Sequence, residues 1–206
     1  MYSQPKKLGS ELLFLSISNG DVHNVIHLIE EDEVDINCPN INGQTALHFA
    51  VLAQNLTLVD LLLKKGADPN TKDNLEVGHN TPLHLAADLN LINIMELFLE
   101  GGGDATIKNK WGFTCLHIAA RRGYFNMVKY LTSKGVDVNI RDTFGFNAAY
   151  WAKEFNHLEI QRELGDVLMI SKEEFTEYTE QCWEQAGVNP GKKKGKKGKK
   201  GKKKKK

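Results

Sequence analysis

One pattern recurs four times along the chain at a nearly fixed spacing. Its opening residue is Thr45, Thr81 and Thr114 in three copies and Asn147 in the fourth. The four segments read TALHFAVLAQN, TPLHLAADLNL, TCLHIAARRGY and NAAYWAKEFNH. The first interval is 36 residues and the next two are 33 residues each. A period of this length predicts a solenoid, because each unit can bury its apolar face only by stacking on its neighbours.

A degenerate further copy lies upstream, in the segment ELLFLSISNGDVHNVIHLIE that starts near Glu11. Its Gly20 takes the place that Gly123 holds in TCLHIAARRGY. Within the copies, apolar residues recur at helical spacing in two short stretches, and the opening threonine suits a helix N-cap. Pro82 follows Thr81, as expected in the first turn of a helix. The sequence therefore predicts an all-α domain of five antiparallel helix pairs.

The copies resemble the ankyrin-repeat family, whose pattern joins D-x-x-G-x-T-P-L-H-x-A-A-x-x-G to a second helix and a G-A-D-x-N turn. These elements recur in register: Leu-His at 47–48, 83–84 and 116–117, GAD at 66–68, and GVDVN at 135–139. The resemblance covers residues 10–167. It implies a solenoid of stacked helix-turn-helix units, each preceded by a hairpin loop called a finger.

Two copies depart from the family pattern at the glycine between their helices. Gln54 and Asn90 stand at that position. Glycine adopts the left-handed backbone conformation easily, asparagine tolerates it, and glutamine tolerates it less well. We therefore expect the second copy to be less stable than its neighbours.

The pattern and the composition divide the chain into four parts. These are an N-terminal arm at 1–9, the repeat domain at 10–167, an amphipathic C-terminal helix at 168–189, and a disordered tail at 190–206. Within the domain the repeats lie near 10–40, 41–73, 74–109, 110–142 and 143–167. The first and last repeats lack TPLH and carry charged stretches, as expected of capping units.

The segment SKEEFTEYTEQCWEQAG predicts the C-terminal helix, with Ser171 and Glu174 in capping-box spacing. Its apolar residues share one side and its glutamates line the other. Two interpretations remain open. The helix docks on the last repeat as an extended cap, or it lays Phe175, Tyr178 and Trp183 into a groove of another protein.

Lysine makes up twelve of the last fifteen residues, and glycine the rest. The tail lysines are Lys192, Lys193, Lys194, Lys196, Lys197, Lys199, Lys200, Lys202, Lys203, Lys204, Lys205 and Lys206. Without them the chain has 15 basic and 26 acidic residues, a charge of about −11. The tail cannot build a packed core, and it attracts polyanions by counterion release.

Candidate partners of the lysine tail are an RNA or DNA backbone, acidic tubulin tails, an anionic membrane surface and nuclear import receptors. A solubilising tail that folds back on the acidic body is the alternative.

No catalytic motif accompanies the repeats. The chain has no GxSxG elbow and no phosphate-binding glycine loop that ends in GK[ST]. His48, His84 and His117 occupy one repeat position, so we expect them to bond to neighbouring backbone rather than to a metal ion. The sequence predicts no enzyme activity, no cofactor, no metal and no small-molecule substrate.

The chain shows no sign of secretion or of membrane insertion. Cys38, Cys115 and Cys182 are odd in number and widely separated, which does not indicate a disulfide framework. ELLFLSIS is short and begins with a glutamate, unlike a signal peptide. No apolar run approaches the roughly 18 residues of a membrane span. We expect a cytoplasmic and/or nuclear protein.

In proteins of the ankyrin-repeat family, the partner meets the fingers and the concave face formed by the first helices. The resemblance therefore assigns these partner-binding residues: Trp111, Phe144, Arg121, Arg122, Tyr124, Phe155, Leu52 and Leu89. Aromatic residues and arginine dominate binding hot spots, which favours the C-terminal half of the domain. The alternative is that finger aromatics, including Phe113 and Phe146, pack against adjacent fingers. The inserted LEVGHN finger is a second candidate for specificity.

We therefore predict a non-enzymatic adaptor or scaffold that binds a protein through this surface, with the lysine tail on a polyanion. One alternative is a nucleic-acid- or ribosome-associated factor driven by the tail. Another is an inhibitor or chaperone-like subunit that occludes one partner.

Overall fold

The computed structural model describes residues 5–165, and within them the chain forms ten α-helices and no strand. The helices are α1 (Pro5–Ser18), α2 (Val22–Glu30), α3 (Ala46–Leu52), α4 (Leu56–Lys64), α5 (Pro82–Asp88), α6 (Ile92–Glu100), α7 (Cys115–Arg122), α8 (Phe125–Ser133), α9 (Ala148–Glu154) and α10 (Leu158–Leu164). Residues 5–9 belong to α1 rather than to the arm that we expected. The predicted C-terminal helix and lysine tail lie outside the described residues.

The helices form antiparallel pairs that stack in chain order. Each odd-numbered helix packs on its even-numbered successor, and α1, α3, α5, α7 and α9 pack on one another in turn. Alanines at the contacts are fully buried, among them Ala86, Ala119 and Ala149. Because alanine adds only a methyl group, the first helices of successive repeats can approach closely.

The predicted N-caps occur at Thr45, Thr81 and Thr114, and a histidine three residues further on completes each cap. In the third repeat, the backbone N–H of Thr81 donates to His84 Nδ1 at 3.1 Å. His84 Nε2 therefore carries the proton, and it donates to the carbonyl oxygen of Phe113 at 2.9 Å. His48 and His117 make the same bond to the next repeat, at 3.1 and 3.2 Å. The expectation that these histidines bond to neighbouring backbone is confirmed.

The turn between the two helices of each repeat requires a left-handed residue, as the sequence predicted. Gln54 and Asn90 have φ values of 53° and 57°, close to the values of 71° at Gly20 and 82° at Gly123. The fifth repeat uses Asn156 at 63°. The second repeat thus holds glutamine in a conformation that costs an L residue roughly 1 kcal/mol or more.

The fingers are the hairpins at residues 40–44, 73–80, 109–113 and 142–146, and we number them after the second, third, fourth and fifth repeats. Each is closed by a backbone bond between its first and last residues, for example from the N–H of Asn109 to the carbonyl of Phe113. The third finger closes from Asp73 to Asn80 and so carries the three inserted residues. Successive fingers are joined by backbone bonds such as Thr143 N–H to the carbonyl of Trp111, at 3.1 Å.

Candidate protein-binding groove

A groove of about 440 Å³ opens where the first helices meet the fingers of the fourth and fifth repeats. It is lined by Asn80, His84, Leu85, Asp88, Asn109, Trp111, Phe113, Ile118, Arg121, Arg122, Phe144 and Trp151. Leu85, Ile118 and Trp151 occupy one repeat position on α5, α7 and α9. Because the repeats stack in register, the residues at this one repeat position lie side by side and form the floor of the groove.

Aromatic side chains from the two fingers stand over this floor. Trp111 and Phe144 are 42% and 44% exposed, whereas Phe113 is only 4% exposed. The Phe113 ring meets the edge of Trp151 with centroids 5.2 Å apart. Phe113 is thus buried, but it packs against His117 of α7 and Trp151 of α9 rather than against an adjacent finger as the alternative interpretation predicted. Phe146 is half-buried and stacks on Tyr150 with ring centroids 3.9 Å apart, while Trp111 and Phe144 remain exposed.

The inserted third finger supports Trp111. A Cβ atom at Gly78 would lie 3.6 Å from Cζ3 of Trp111, so the indole sits close against this glycine. The backbone N–H of Lys110 donates to the Gly78 carbonyl at 3.1 Å. The Lys110 ammonium lies 4.4 Å from the centre of the Trp111 ring, within range of a cation–π contact. The insertion therefore forms one rim of the groove.

A buried carboxylate fixes the opposite rim. Asp142 is fully buried, and its Oδ1 accepts the backbone N–H groups of Phe144 and Phe146 at 2.8 and 3.0 Å. Its Oδ2 accepts Nε1–H of Trp151 at 2.6 Å. Burial raises the pKa of Asp142, and these hydrogen bonds oppose the rise. One side chain thus holds both the finger that carries Phe144 and the indole of α9.

Two adjacent arginines at the end of α7 have different surroundings. Arg122 forms a bidentate ion pair with Asp88, with N–O distances of 2.7 and 2.8 Å, which raises the pKa of the guanidinium. Arg121 makes no ion pair within residues 5–165. Its guanidinium carbon lies 5.8 Å from the ring centres of Phe113 and of Phe155. Arg121 is therefore held between two aromatic faces with its charge uncompensated by a described carboxylate.

The structure brings together five of the eight residues assigned from sequence. Trp111, Phe144, Arg121 and Arg122 line the groove, and Phe155, 49% exposed, adjoins it through the contacts of its ring with Arg121 and Trp151.

The other three residues lie apart from the groove. Tyr124 is the N-cap of α8 and packs half-buried against the core. Leu52 and Leu89 are exposed at the ends of α3 and α5 but do not line the groove.

Sequence reasoning missed Trp151 and Asp142. The segment NAAYWAKEF was interpreted as a degenerate cap, so its tryptophan was not compared with Leu85 and Ile118. A column-by-column alignment of the copies carries the signal, because Trp151 stands four residues after the N-cap Asn147, as Ile118 does after Thr114.

The charge of the chain changes sign around the groove. Residues 1–104 contain 5 basic and 15 acidic residues, and residues 154–189 contain 2 basic and 9 acidic ones. Residues 105–153 contain 8 basic and 2 acidic residues, and one of those two acids is the buried Asp142. Eight of the twelve residues that line the groove therefore belong to a basic zone of an otherwise acidic body.

Within residues 5–165, no cluster of three His, Cys, Asp or Glu side chains could hold a metal ion. None of the helices in this range combines the length and the apolar character that a membrane span requires.

A model of ankyrin repeats in three copies matches residues 2–73 and 83–167.

The chain is 36% identical over 104 residues to protein phosphatase 1 regulatory subunit 27 of Mus musculus. This match covers 50% of this chain and 66% of that protein. It is 37% identical over 70 residues to the ANK repeat-containing protein nipk-1 of Caenorhabditis elegans, covering 34% of this chain and 11% of that protein. It is 41% identical over 58 residues to palmitoyltransferase akr1 of Schizosaccharomyces pombe, covering 28% of this chain and 9% of that protein. The chain thus spans less than two thirds of each of these relatives. Since the family model matches well over half of its residues, the chain belongs to the ankyrin-repeat family.

Proposed function

We propose that this protein is a non-enzymatic adaptor that binds another protein in the groove between the first helices and the fourth and fifth fingers. The observation that carries this proposal is the pairing of two half-exposed aromatics, Trp111 and Phe144, with Arg121 over an apolar floor. Aromatic and arginine side chains around a desolvated pocket are the usual composition of binding hot spots. The family membership supports a role in protein binding.

The test is co-purification from native cells with the full chain as bait. The double variant Trp111→Ala plus Phe144→Ala is compared with the wild type. The matched control is Leu15→Ala plus Leu56→Ala, which removes two exposed apolar side chains from α1 and α4. We expect the groove variant to lose its partner and to keep a melting temperature near that of the wild type, because both aromatics are half-exposed and neither belongs to the buried core. Unchanged recovery of partners by the groove variant would refute the proposal.

Protein phosphatase 1 is one candidate partner. The proposal comes from the similarity to its regulatory subunit 27, which extends over half of this chain. Binding of the purified phosphatase catalytic subunit to the full chain tests it directly. The same experiment measures phosphatase activity, since a fall in activity at saturation favours the occluding-inhibitor role over the adaptor role.

We further propose that the lysine tail tethers the complex to a polyanion. Its support is the segregation of twelve lysines into the last fifteen residues of a chain whose remainder is acidic. A weak second contact raises overall affinity through effective concentration. Residues 1–190 are compared with the full chain, with and without nuclease, at two salt concentrations. Loss of all partners from the shortened chain or after nuclease treatment would favour the nucleic-acid- or ribosome-associated alternative.

A further inference from the structure

We infer that the groove selects an acidic protein segment, in which a bulky apolar side chain enters the groove and a neighbouring carboxylate binds Arg121. This inference rests on the proposed function and specifies the chemistry of the partner. The occupant is an Asp- or Glu-containing segment with an adjacent Phe, Trp, Tyr or Leu.

Charge complementarity is the first argument. Eight of the twelve residues that line the groove belong to the zone from 105 to 153, where basic residues outnumber acidic ones by eight to two. The flanking zones at 1–104 and 154–189 are acidic, so they repel an acidic segment that is displaced from the groove towards either end of the chain. Among the described residues, Asp88 is the one acidic side chain that lines the groove, and it is already paired with Arg122. The buried Asp142 accepts hydrogen bonds from Trp151, Phe144 and Phe146, and Glu76 and Glu154 are exposed on the third finger and at the end of α9. Attraction and repulsion together therefore favour an acidic segment centred on the fourth repeat.

The setting of Arg121 is the second argument. Its guanidinium lies between the rings of Phe113 and Phe155, at 5.8 Å from each centre. His157 Nε2 donates to the backbone carbonyl of Arg121 at 3.2 Å and so fixes the end of α7. A stacked guanidinium keeps its N–H donors at the edge of the plane, where a carboxylate binds in bidentate fashion. Arg121 is thus organised for a carboxylate before the partner arrives.

The apolar part of the groove is the third argument. Its volume of about 440 Å³ lies within the range of roughly 300–1,000 Å³ that small-ligand pockets show. Leu85 and Ile118 form its floor, and Trp111 and Phe144 form its rims. A pocket of this size accepts one or two large side chains rather than the surface of a folded domain. Trp111 and Arg121 both line the pocket, which favours an apolar residue and a carboxylate close together in the partner's sequence.

A single nucleic-acid strand also combines negative charge with flat rings, but the arrangement favours a peptide. A strand carries a charge at every nucleotide, and the acidic zones on both sides of the basic one oppose its path along the domain. Asp88 pairs with Arg122, and the Lys110 ammonium lies over the Trp111 ring at the rim, which leaves Arg121 as the groove arginine without a described carboxylate partner. One such arginine beside one apolar pocket matches a carboxylate beside an apolar side chain.

The test is a selection of short random peptides displayed on phage against the full-length protein. Acidic peptides also bind the lysine tail, so each round includes removal of peptides that bind Trp111→Ala plus Phe144→Ala, which retains the tail. We expect the enriched peptides to carry Asp or Glu next to a bulky apolar residue. Their affinity should fall about tenfold or more for Arg121→Gln. The matched control, Lys129→Gln, removes one charge from the exposed side of α8 and should leave affinity unchanged.

Other outcomes separate this inference from the proposed function. Enriched peptides without carboxylates, unaffected by Arg121→Gln, would overturn the inference and leave the proposed function standing. If no peptide depends on Trp111 and Phe144, both fail. A labelled single-stranded RNA of mixed sequence is titrated in parallel. A tenfold loss of RNA affinity with Arg121→Gln, but not with Lys129→Gln, would assign the groove to nucleic acid and overturn the inference.

Discussion

His84 donates its Nε2–H to the carbonyl oxygen of Phe113 in the next repeat at 2.9 Å, and its Nδ1 accepts the N–H of Thr81. Acceptance of the Thr81 N–H by Nδ1 requires the neutral imidazole. Burial lowers the pKa of His84 from 6.5 to about 4, and burial likewise lowers the pKa of His117 to about 4. Stability in this solenoid is therefore tied to keeping these rings uncharged.

We predict that the free energy of unfolding falls as the pH is lowered from 6.5 towards 4. In this window the unfolded chain binds protons that the folded chain excludes, so acid favours unfolding. At pH 4 each of the two histidines lowers the free energy of unfolding by about 2–3 kcal/mol, since one pKa unit corresponds to about 1.4 kcal/mol. Urea unfolding at several pH values between 7.5 and 4.5 measures the effect.

The matched variants for that prediction are His84→Gln and His23→Gln. Glutamine at position 84 keeps a donor and an acceptor without a titrating ring, so the pH dependence should become flatter. His23 is exposed on α2 and controls for the loss of a histidine. Equal slopes for His84→Gln and the wild type would contradict the assignment.

A second prediction concerns the left-handed turns. Gln54→Gly should stabilise the protein by about 0.5–1 kcal/mol, because glycine adopts the φ of 53° without the penalty of a side chain. Chemical denaturation measures the gain. The converse variant is Gly123→Ala, whose Cβ would lie 2.6 Å from Cε1 of His157 at a φ of 82°. That variant should lose about 1–3 kcal/mol. A gain from Gly123→Ala would contradict the conformational argument.

A third prediction tests the carboxylate that holds the groove. Trp151→Phe leaves Oδ2 of Asp142 buried without its indole donor and should cost about 1–3 kcal/mol. Asn109 performs the same task one repeat earlier, where its Oδ1 accepts the N–H groups of Trp111 and Phe113 and the floor residue is Ile118. The double variant Asp142→Asn plus Trp151→Phe imitates that arrangement. It should therefore be more stable than Trp151→Phe alone in thermal unfolding, and an additive loss would show that the two side chains are not coupled.

A fourth prediction concerns the inserted finger. Deletion of residues 75–77 together with His79→Gly restores the spacing of the other fingers, because His79 stands at the left-handed position that Gly43 and Gly112 occupy. We expect the domain to remain folded, as judged by circular dichroism, and its affinity for the groove partner to fall, since the finger no longer supports Trp111. The single variant His79→Gly is the control. Unchanged affinity after the deletion would remove the finger from the binding surface.

The repeat pattern predicted the helices and turns well because the residues that form them are determined by local requirements that recur in every repeat. Threonine caps, left-handed turns and buried alanines each follow from a position in the unit, and the structure has them there. The family resemblance also directed attention to Trp111 and Phe144. Tyr124 was misplaced because its neighbours in sequence lie on α7, whereas it begins α8 and packs against the core.

The groove itself was harder to predict, because it depends on contacts between repeats. Trp151 and Asp142 are nine residues apart, and their bond appears only when the fifth finger folds over α9. The pairing of Arg122 with Asp88 joins residues 34 apart and leaves Arg121 as the cation of the groove. A total charge summed over the body conceals the basic zone, since the acidic zones on either side outweigh it.

Two of the three tryptophans in the chain, Trp111 and Trp151, line the groove. One indole is exposed to water at the rim and the other is bonded to a carboxylate at the floor. An occupant that covers the rim takes the first indole out of water, so its fluorescence shifts to shorter wavelength. The protein thus carries native optical reporters at its binding surface, and titrations need no attached dye.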